Sequence, residues 1–216
     1  MNDPLRLERP QLLTELAIER IRSAIVEGQI KLGEQVSEAQ LALQMGVSKT
    51  PVREALQRLK SDGLVDIYPQ RGTFVFRLAP AQVTQLCRYR AMIECAALRE
   101  ACSADPVALT CEWKRCVAEM KKAERARDLR ALARIDMDFH QQLLTHCHDD
   151  YLRSGYEVVR SQLAALRHRS PIANMVASHQ ILVDALAAGD VDRACLLLRE
   201  HVLENEPRYR AACSGS

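Results

Sequence analysis

Val47-Ser48-Lys49-Thr50-Pro51-Val52-Arg53-Glu54-Ala55-Leu56 decides the fold of the N-terminal part of this 216-residue chain. Ser48 is placed to cap a helix. Pro51 follows within the first turn, where a missing N–H leaves no intrahelical bond unmade. Val52, Ala55, Leu56 and Leu59 recur at helical spacing and predict a buried face. Lys49, Thr50, Arg53 and Gln57 fall on the opposite side, a basic and hydrogen-bonding set without a large apolar group. Side chains of this kind at a helix N-terminus suit base edges and phosphates.

The flanking sequence makes this more than a charged helix. Ser37-Glu38-Ala39-Gln40 has the form of a capping box, with Val36 and Leu41 as its hydrophobic staple. It predicts a short helix running to Met45 and stopped by Gly46. Another amphipathic helix is expected over Leu12–Glu27, closed by Gly28. Gly63 ends the Arg53 helix, with Lys60 in its last turn. Val65-Asp66-Ile67-Tyr68 and Thr73-Phe74-Val75-Phe76 then read as strands of a hairpin around Pro69-Gln70-Arg71-Gly72. Helix, tight turn and polar-faced helix make a helix-turn-helix, and the basic-tipped hairpin makes it winged.

The N-terminal segment resembles the DNA-binding domain of the GntR family of bacterial transcription regulators. The resemblance rests on Gly33-Glu34-Gln35-Val36-Ser37-Glu38, Leu41-Ala42, Gly46-Val47-Ser48, Thr50 to Leu56, Leu59, Gly63-Leu64-Val65 and Arg71-Gly72-Thr73, and covers roughly residues 10–77. Family members usually carry Arg where this chain has Lys49, and Lys lacks the bidentate guanine contact of Arg. The expected DNA-contacting residues are Ser48, Lys49, Thr50, Arg53, Arg71 and Gly72. Lys49, Thr50 and Arg53 would enter the major groove, with Arg53 reading guanine. Arg71 and Gly72 would bring the wing tip to the minor groove or its phosphates.

Composition fits a site-specific binder. The formal net charge is only +2, so the chain is no polycation; the basic charge is concentrated at Lys49, Arg53, Arg58 and Lys60. No apolar run reaches the roughly 18 residues of a membrane span, and Met1-Asn2-Asp3-Pro4 does not open a signal peptide. A cytoplasmic location is expected. The eight cysteines all follow residue 86 and contain no CxxC pair. In a helical cytosolic chain they read as reduced thiols, mostly small core residues, with redox sensing as the other reading.

From Pro80 the pattern is helical almost throughout. Helices are expected at about 81–103, 106–125, 127–146, 149–168, 172–187 and 191–208, broken at Pro106, 125–128, His148-Asp149, Ser170-Pro171 and Ala188-Gly189-Asp190. The expected fold is therefore mainly α: a winged helix-turn-helix at 1–77, a linker at 78–82, an all-α bundle of about six helices at 83–208, and a tail at 209–216.

One constellation in the bundle carries chemistry. Asp136 and His140 are one turn apart on a single helix face. His179 and His201 lie about 15 and 18 Å from the Gly189 turn at helical rise, so an antiparallel hairpin brings them level. Each histidine alone also reads as a surface or satisfied core residue. Together, three imidazoles and a carboxylate suit Zn²⁺, Ni²⁺, Fe²⁺ or Mn²⁺.

Asp136-x-x-Phe139-His140 followed by His179 and His201 resembles the FCD effector domain of many GntR regulators, over about residues 82–207. The resemblance implies a FadR-like regulator whose metal ligands are Asp136, His140, His179 and His201, with Zn²⁺ the first choice. Arg90-x-x-x-Glu94 matches the first-helix pattern. Arg90 reads either as half of an i,i+4 salt bridge or as an effector-binding residue facing the bundle interior.

Joined, the halves imply a homodimeric repressor on a pseudo-palindromic double-stranded operator. A small carboxylate effector would complete the metal site and change the placement of the two winged helices, hence operator affinity. The alternatives are a metal-free regulator sensing an acyl ligand, and a metalloenzyme using the His₃Asp set. The enzyme reading lacks an identifiable general acid or base, so no catalytic residue is assigned.

Overall fold

The computed structural model describes residues 11–170 and 174–214. The Met1-Asn2-Asp3-Pro4 segment, Pro171 in the Ser170-Pro171 break and the expected start of a helix at 172 lie outside the described residues. The chain divides into two compact units, the first ending at Phe76 and the second beginning at Arg77.

The first unit runs α1 (Gln11–Val26), β1 (Gln35–Val36), α2 (Glu38–Met45), α3 (Lys49–Ser61), β2 (Val65–Tyr68) and β3 (Gly72–Val75). Val52, Ala55, Leu56 and Leu59 of α3 are buried together with Ile21 and Ile25 of α1. Gly46 adopts φ +67°, and the amides of Gly46 and Val47 donate to the carbonyls of Leu43 and Ala42. Gly63 and Leu64 close α3 in the same way on Lys60 and Leu59. Both stops are Schellman closures, which require the left-handed conformation that glycine adopts without penalty.

Two local expectations change. Ser37 and Ser48 occupy N-cap positions with extended backbone, but neither side chain makes a capping hydrogen bond. The hairpin also gains a partner: β1 pairs antiparallel with β3, giving the order β1-β3-β2. A two-residue strand carries no periodicity of its own; only the tertiary pairing of Gln35 and Val36 with Phe74 and Thr73 defines it.

The second unit is α4 (Pro80–Ala104), α5 (Pro106–Arg125), α6 (Leu129–His146), α7 (Asp150–His168), α8 (Met175–Ala187), α9 (Val191–Leu203) and α10 (Glu206–Ser214). Among the described residues it thus has seven helices where about six are expected. The expected 191–208 helix breaks at Glu204-Asn205, and the segment read as a tail is helical through Ser214. Pro207 explains the break, because it has no N–H to give to a continued α9, while Tyr209 and Cys213 anchor α10 by burial. The first turn of α4 lies within the stretch 78–82 read as a linker. Asp105, Asp128, Asp149 and Asp190 cap α5, α6, α7 and α9 through side-chain bonds to first-turn amides, which fixes where these helices begin.

The core of the unit is built on Trp113 of α5. Its ring stacks on Phe139 at 4.4 Å, and its indole N–H donates to the Phe139 carbonyl at 2.9 Å. This bond holds α6 against α5 and orients the face carrying Asp136 and His140 inward. All eight cysteines are free thiols, and only Cys111 is exposed. No described helix is long and apolar enough to cross a membrane.

Candidate functional site

On the first unit, Ser48, Lys49, Thr50 and Arg53 form an exposed strip at the start of α3. Arg53 is not idle there. Its Nε and Nη2 donate to the Glu38 carboxylate of α2 at 3.0 and 2.9 Å, so the guanidinium is oriented by the neighbouring helix. The exposed Arg71 at the wing tip stands 5.6 Å from the Tyr68 ring centroid, a cation–π arrangement. Gly72 has φ +105°, and a Cβ there would approach Gln35 Nε2 to 2.7 Å. Gln35 Nε2 donates to the Arg71 carbonyl. The wing tip is therefore tied to β1 and demands glycine for its own backbone.

The second unit gathers the four residues singled out for metal binding. Asp136 and His140 come from α6, His179 from α8 and His201 from α9; all four are buried, and one donor atom from each lies within 4.8 Å of the others. His179 and His201 ring centroids are 4.6 Å apart, the level alignment expected of an α8–α9 hairpin.

The other ring nitrogens set which atom faces the centre. His179 Nδ1 lies 2.8 Å from the Met175 carbonyl oxygen, which can only accept, so Nδ1 carries the proton. His140 Nδ1 lies 2.8 Å from Glu94 Oε2, close enough for the carboxylate to back the ring although the two are not aligned as a hydrogen bond. A carboxylate or carbonyl behind an imidazole is the usual support of a metal-binding histidine. The Nε2 atoms of His140, His179 and His201, and Asp136 Oδ1, are buried without an aligned hydrogen-bond partner.

Charge around the centre is dense. Burial alone would raise the Asp136 carboxyl, yet Arg167, His179 and His140 hold it well below the ordinary range. Burial, with Arg90 and Arg167, pushes His140 down, and burial with His179 lowers His201 to about 3. These two imidazoles are therefore neutral at physiological pH, the form that ligates metals. Asp136 also meets Arg167 Nε at 2.8 Å through Oδ2, so the cluster is closed by ion pairs.

Arg90 is fully buried. Its Nε donates to Glu94 at 2.7 Å and its Nη1 to the Tyr209 hydroxyl at 3.2 Å. Arg90 forms the expected i,i+4 pair inside the bundle, with Nη2 making no hydrogen bond. Arg167 was missed from sequence, although it stands one residue from Leu166 and four from Leu163 on the buried face of α7. Arg167 and Arg208 each retain a buried Nη2 that makes no hydrogen bond, that of Arg167 lying 4.0 Å from Glu94 Oε1. A cavity of about 290 Å³ reaches Asp136 and Arg167, with Arg130 and His168 among its polar residues and Leu129, Leu132, Ala133 and Met175 among its apolar ones. Asp138, two residues from Asp136, instead accepts from Arg115 on α5.

Residues 13–75 match the family described as bacterial regulatory proteins, gntR family, and residues 85–204 match the FCD domain. The HTH-type transcriptional repressor RspR of Escherichia coli (strain K12) is 30% identical over 190 residues, spanning 85% of this chain and 83% of that protein. The crystal structure of a GntR regulator from Rhodococcus sp. RHA1 shares the fold, with TM-score 0.77 and 23% identity over 92% of this chain and 97% of the other. E. coli McbR/YncC does so with TM-score 0.76 and 21% identity, over 92% and 97% of the two chains.

Proposed function

Because this chain belongs to the gntR family of bacterial regulatory proteins and carries an FCD domain, we propose that it is a FadR-like, homodimeric transcription repressor released from its operator by a small carboxylate bound beside a metal ion. Membership makes it a DNA-binding transcription regulator with an effector-binding C-terminal domain, and it sets the metalloenzyme reading aside. Repression is supported by its likeness to a transcriptional repressor.

The observation that carries the metal assignment is the convergence of three Nε2 atoms and one carboxylate oxygen that have no aligned partner. Buried polar atoms left in this state are costly, and one divalent cation satisfies all four. Zn²⁺ fits the nitrogen-rich set best, with Ni²⁺, Fe²⁺ and Mn²⁺ compatible. When bound, the ion supplies a Lewis-acidic site for an anionic oxygen. Arg167, which lines a cavity sized for a small organic acid together with Arg130, supplies the matching charge for a carboxylate, and the buried Nη2 donors of Arg90 and Arg208 make no hydrogen bond of their own.

On the first unit, Lys49, Thr50 and Arg53 read base edges, Ser48 and Arg71 contact phosphates or the minor groove, and Gly72 permits the wing's approach. A pseudo-palindromic duplex is the expected partner, since one such unit makes few base contacts.

A metal-free regulator sensing an acyl ligand is the second reading. It is favoured by the Arg167–Asp136 pair, which neutralises the carboxylate without a metal, and by the apolar cavity wall. Elemental analysis of the purified protein, followed by operator gel shifts with organic acids and with fatty acids, separates the two. Substoichiometric metal together with release by fatty acid would overturn the metal–carboxylate reading.

A further inference from the structure

Outside the site just described, α4 and α9 bring two cysteines face to face. Cys95 Sγ lies 3.4 Å from the Cys195 carbonyl oxygen, and Cys195 Sγ lies 3.7 Å from the Cys95 carbonyl oxygen. That reciprocity places the two residues directly opposite one another where the helices pack. Neither belongs to the polar network around Asp136, and a hundred residues of chain separate them.

We propose that Cys95 and Cys195 form a modification site at which a hydroperoxide is reduced and an intrachain disulfide is made. Cys95 is partly exposed while Cys195 lies buried behind it, and Met92, Arg99, Asp192 and Leu196 on the same two helices are exposed, so a small peroxide approaches the Cys195 sulfur from the Cys95 side. Arg99, ion-paired to Asp192 at 2.7 Å, supplies positive charge beside the pair. The neighbouring thiol and Arg99 lower Cys195, against its burial, to about 7, which favours the thiolate that reacts.

The steps balance. The Cys195 thiolate attacks one peroxide oxygen; the O–O bond breaks, leaving a sulfenic acid on Cys195 and an alkoxide or hydroxide that is protonated to alcohol or water. Cys95 sulfur then attacks Cys195 sulfur. The S–S bond forms, the S–O bond breaks, and hydroxide leaves with the Cys95 proton as water. Two thiols are oxidised by two electrons, and one hydroperoxide is reduced.

The cross-link ties α4, which carries Arg90 and Glu94, to α9, which carries His201. If the proposed effector site is correct, oxidation therefore also reports to it, but disulfide formation does not depend on that reading.

The test treats the full-length protein with hydrogen peroxide, then alkylates and maps it by mass spectrometry. The expected result is a Cys95–Cys195 linked peptide, a mass loss of two hydrogens per chain, monomer mobility on a non-reducing denaturing gel, and reversal by dithiothreitol. Cys95→Ser and Cys195→Ser, each checked for folding by circular dichroism, should each abolish the linked peptide, whereas Cys111→Ser should not. The oxidised wild type should also melt higher than the reduced form, because the closed loop restricts the unfolded chain. Oxidation at Cys111 or elsewhere with the pair still alkylatable would overturn the proposal. So would chains joined covalently through Cys95.

Discussion

His179 Nε2 faces Asp136 Oδ1 at 2.9 Å while the opposite nitrogen of the same ring is spent on the Met175 carbonyl. If the imidazole is neutral, two acceptors confront each other in a buried site. The arrangement therefore calls for a positive species between them, either a proton that makes His179 cationic or a metal ion. A proton answers this contact alone. It leaves Nε2 of His140 and of His201 without an aligned partner, whereas a cation answers all of them.

His179→Ala removes one ligand and the cationic alternative together. Metal content should fall several-fold and the carboxylate response should be lost, while the operator is bound with affinity close to wild type. Elemental analysis and gel shifts on the same preparation check this. An unchanged effector response in the variant would remove the metal from the sensing step.

Arg167→Met breaks a buried ion pair. The metal-free protein should lose about 3–5 kcal/mol, because the Asp136 carboxylate is left without its main counter-charge. The metal-loaded protein should lose less, the ion serving as a second counter-charge. Thermal melts with metal and with chelator measure the difference. Equal losses in both states would show that the metal does not contact Asp136.

Arg53→Ala should weaken operator binding by about 1–3 kcal/mol and relax preference at one base pair. Glu38→Gln should leave Arg53 less well oriented and lower selectivity more than affinity for random duplex. Competition gel shifts with single-base operator variants read both. A uniform loss across all sequences would assign Arg53 to the backbone instead.

Gly72→Ala should destabilise the first unit by about 1–3 kcal/mol, the range for a residue forced into sparsely populated backbone space. The Gln35 side chain can swing away, so Gln35→Ala should not rescue the variant. Denaturant melts of the single and double variants decide this. Full rescue would locate the cost in the side-chain clash rather than in φ.

Much of this was legible because the signals are local. Gly46 and Gly63 stop helices through their own backbone freedom, and Pro106 and the Ala188-Gly189-Asp190 turn mark the breaks before α5 and α9. The His179–His201 alignment needed only residue counts about Gly189. What stayed hidden depends on partners distant in sequence. β1 exists only by pairing with β3, and the Arg53–Glu38 fork needs the crossing of α2 and α3. Two misses were avoidable. Pro207 announces that α9 cannot continue, and an arginine on the Leu163–Leu166 face of α7 announces a buried charge in need of a carboxylate.

The most direct test is inductively coupled plasma mass spectrometry of the protein purified without added metal or chelator, beside a His140→Ala/His179→Ala control. About one zinc-group or first-row divalent ion per chain, absent from the control, is the predicted result. Trace metal at the same level in both proteins, with the wild type still leaving its operator on addition of an organic acid, would contradict the account.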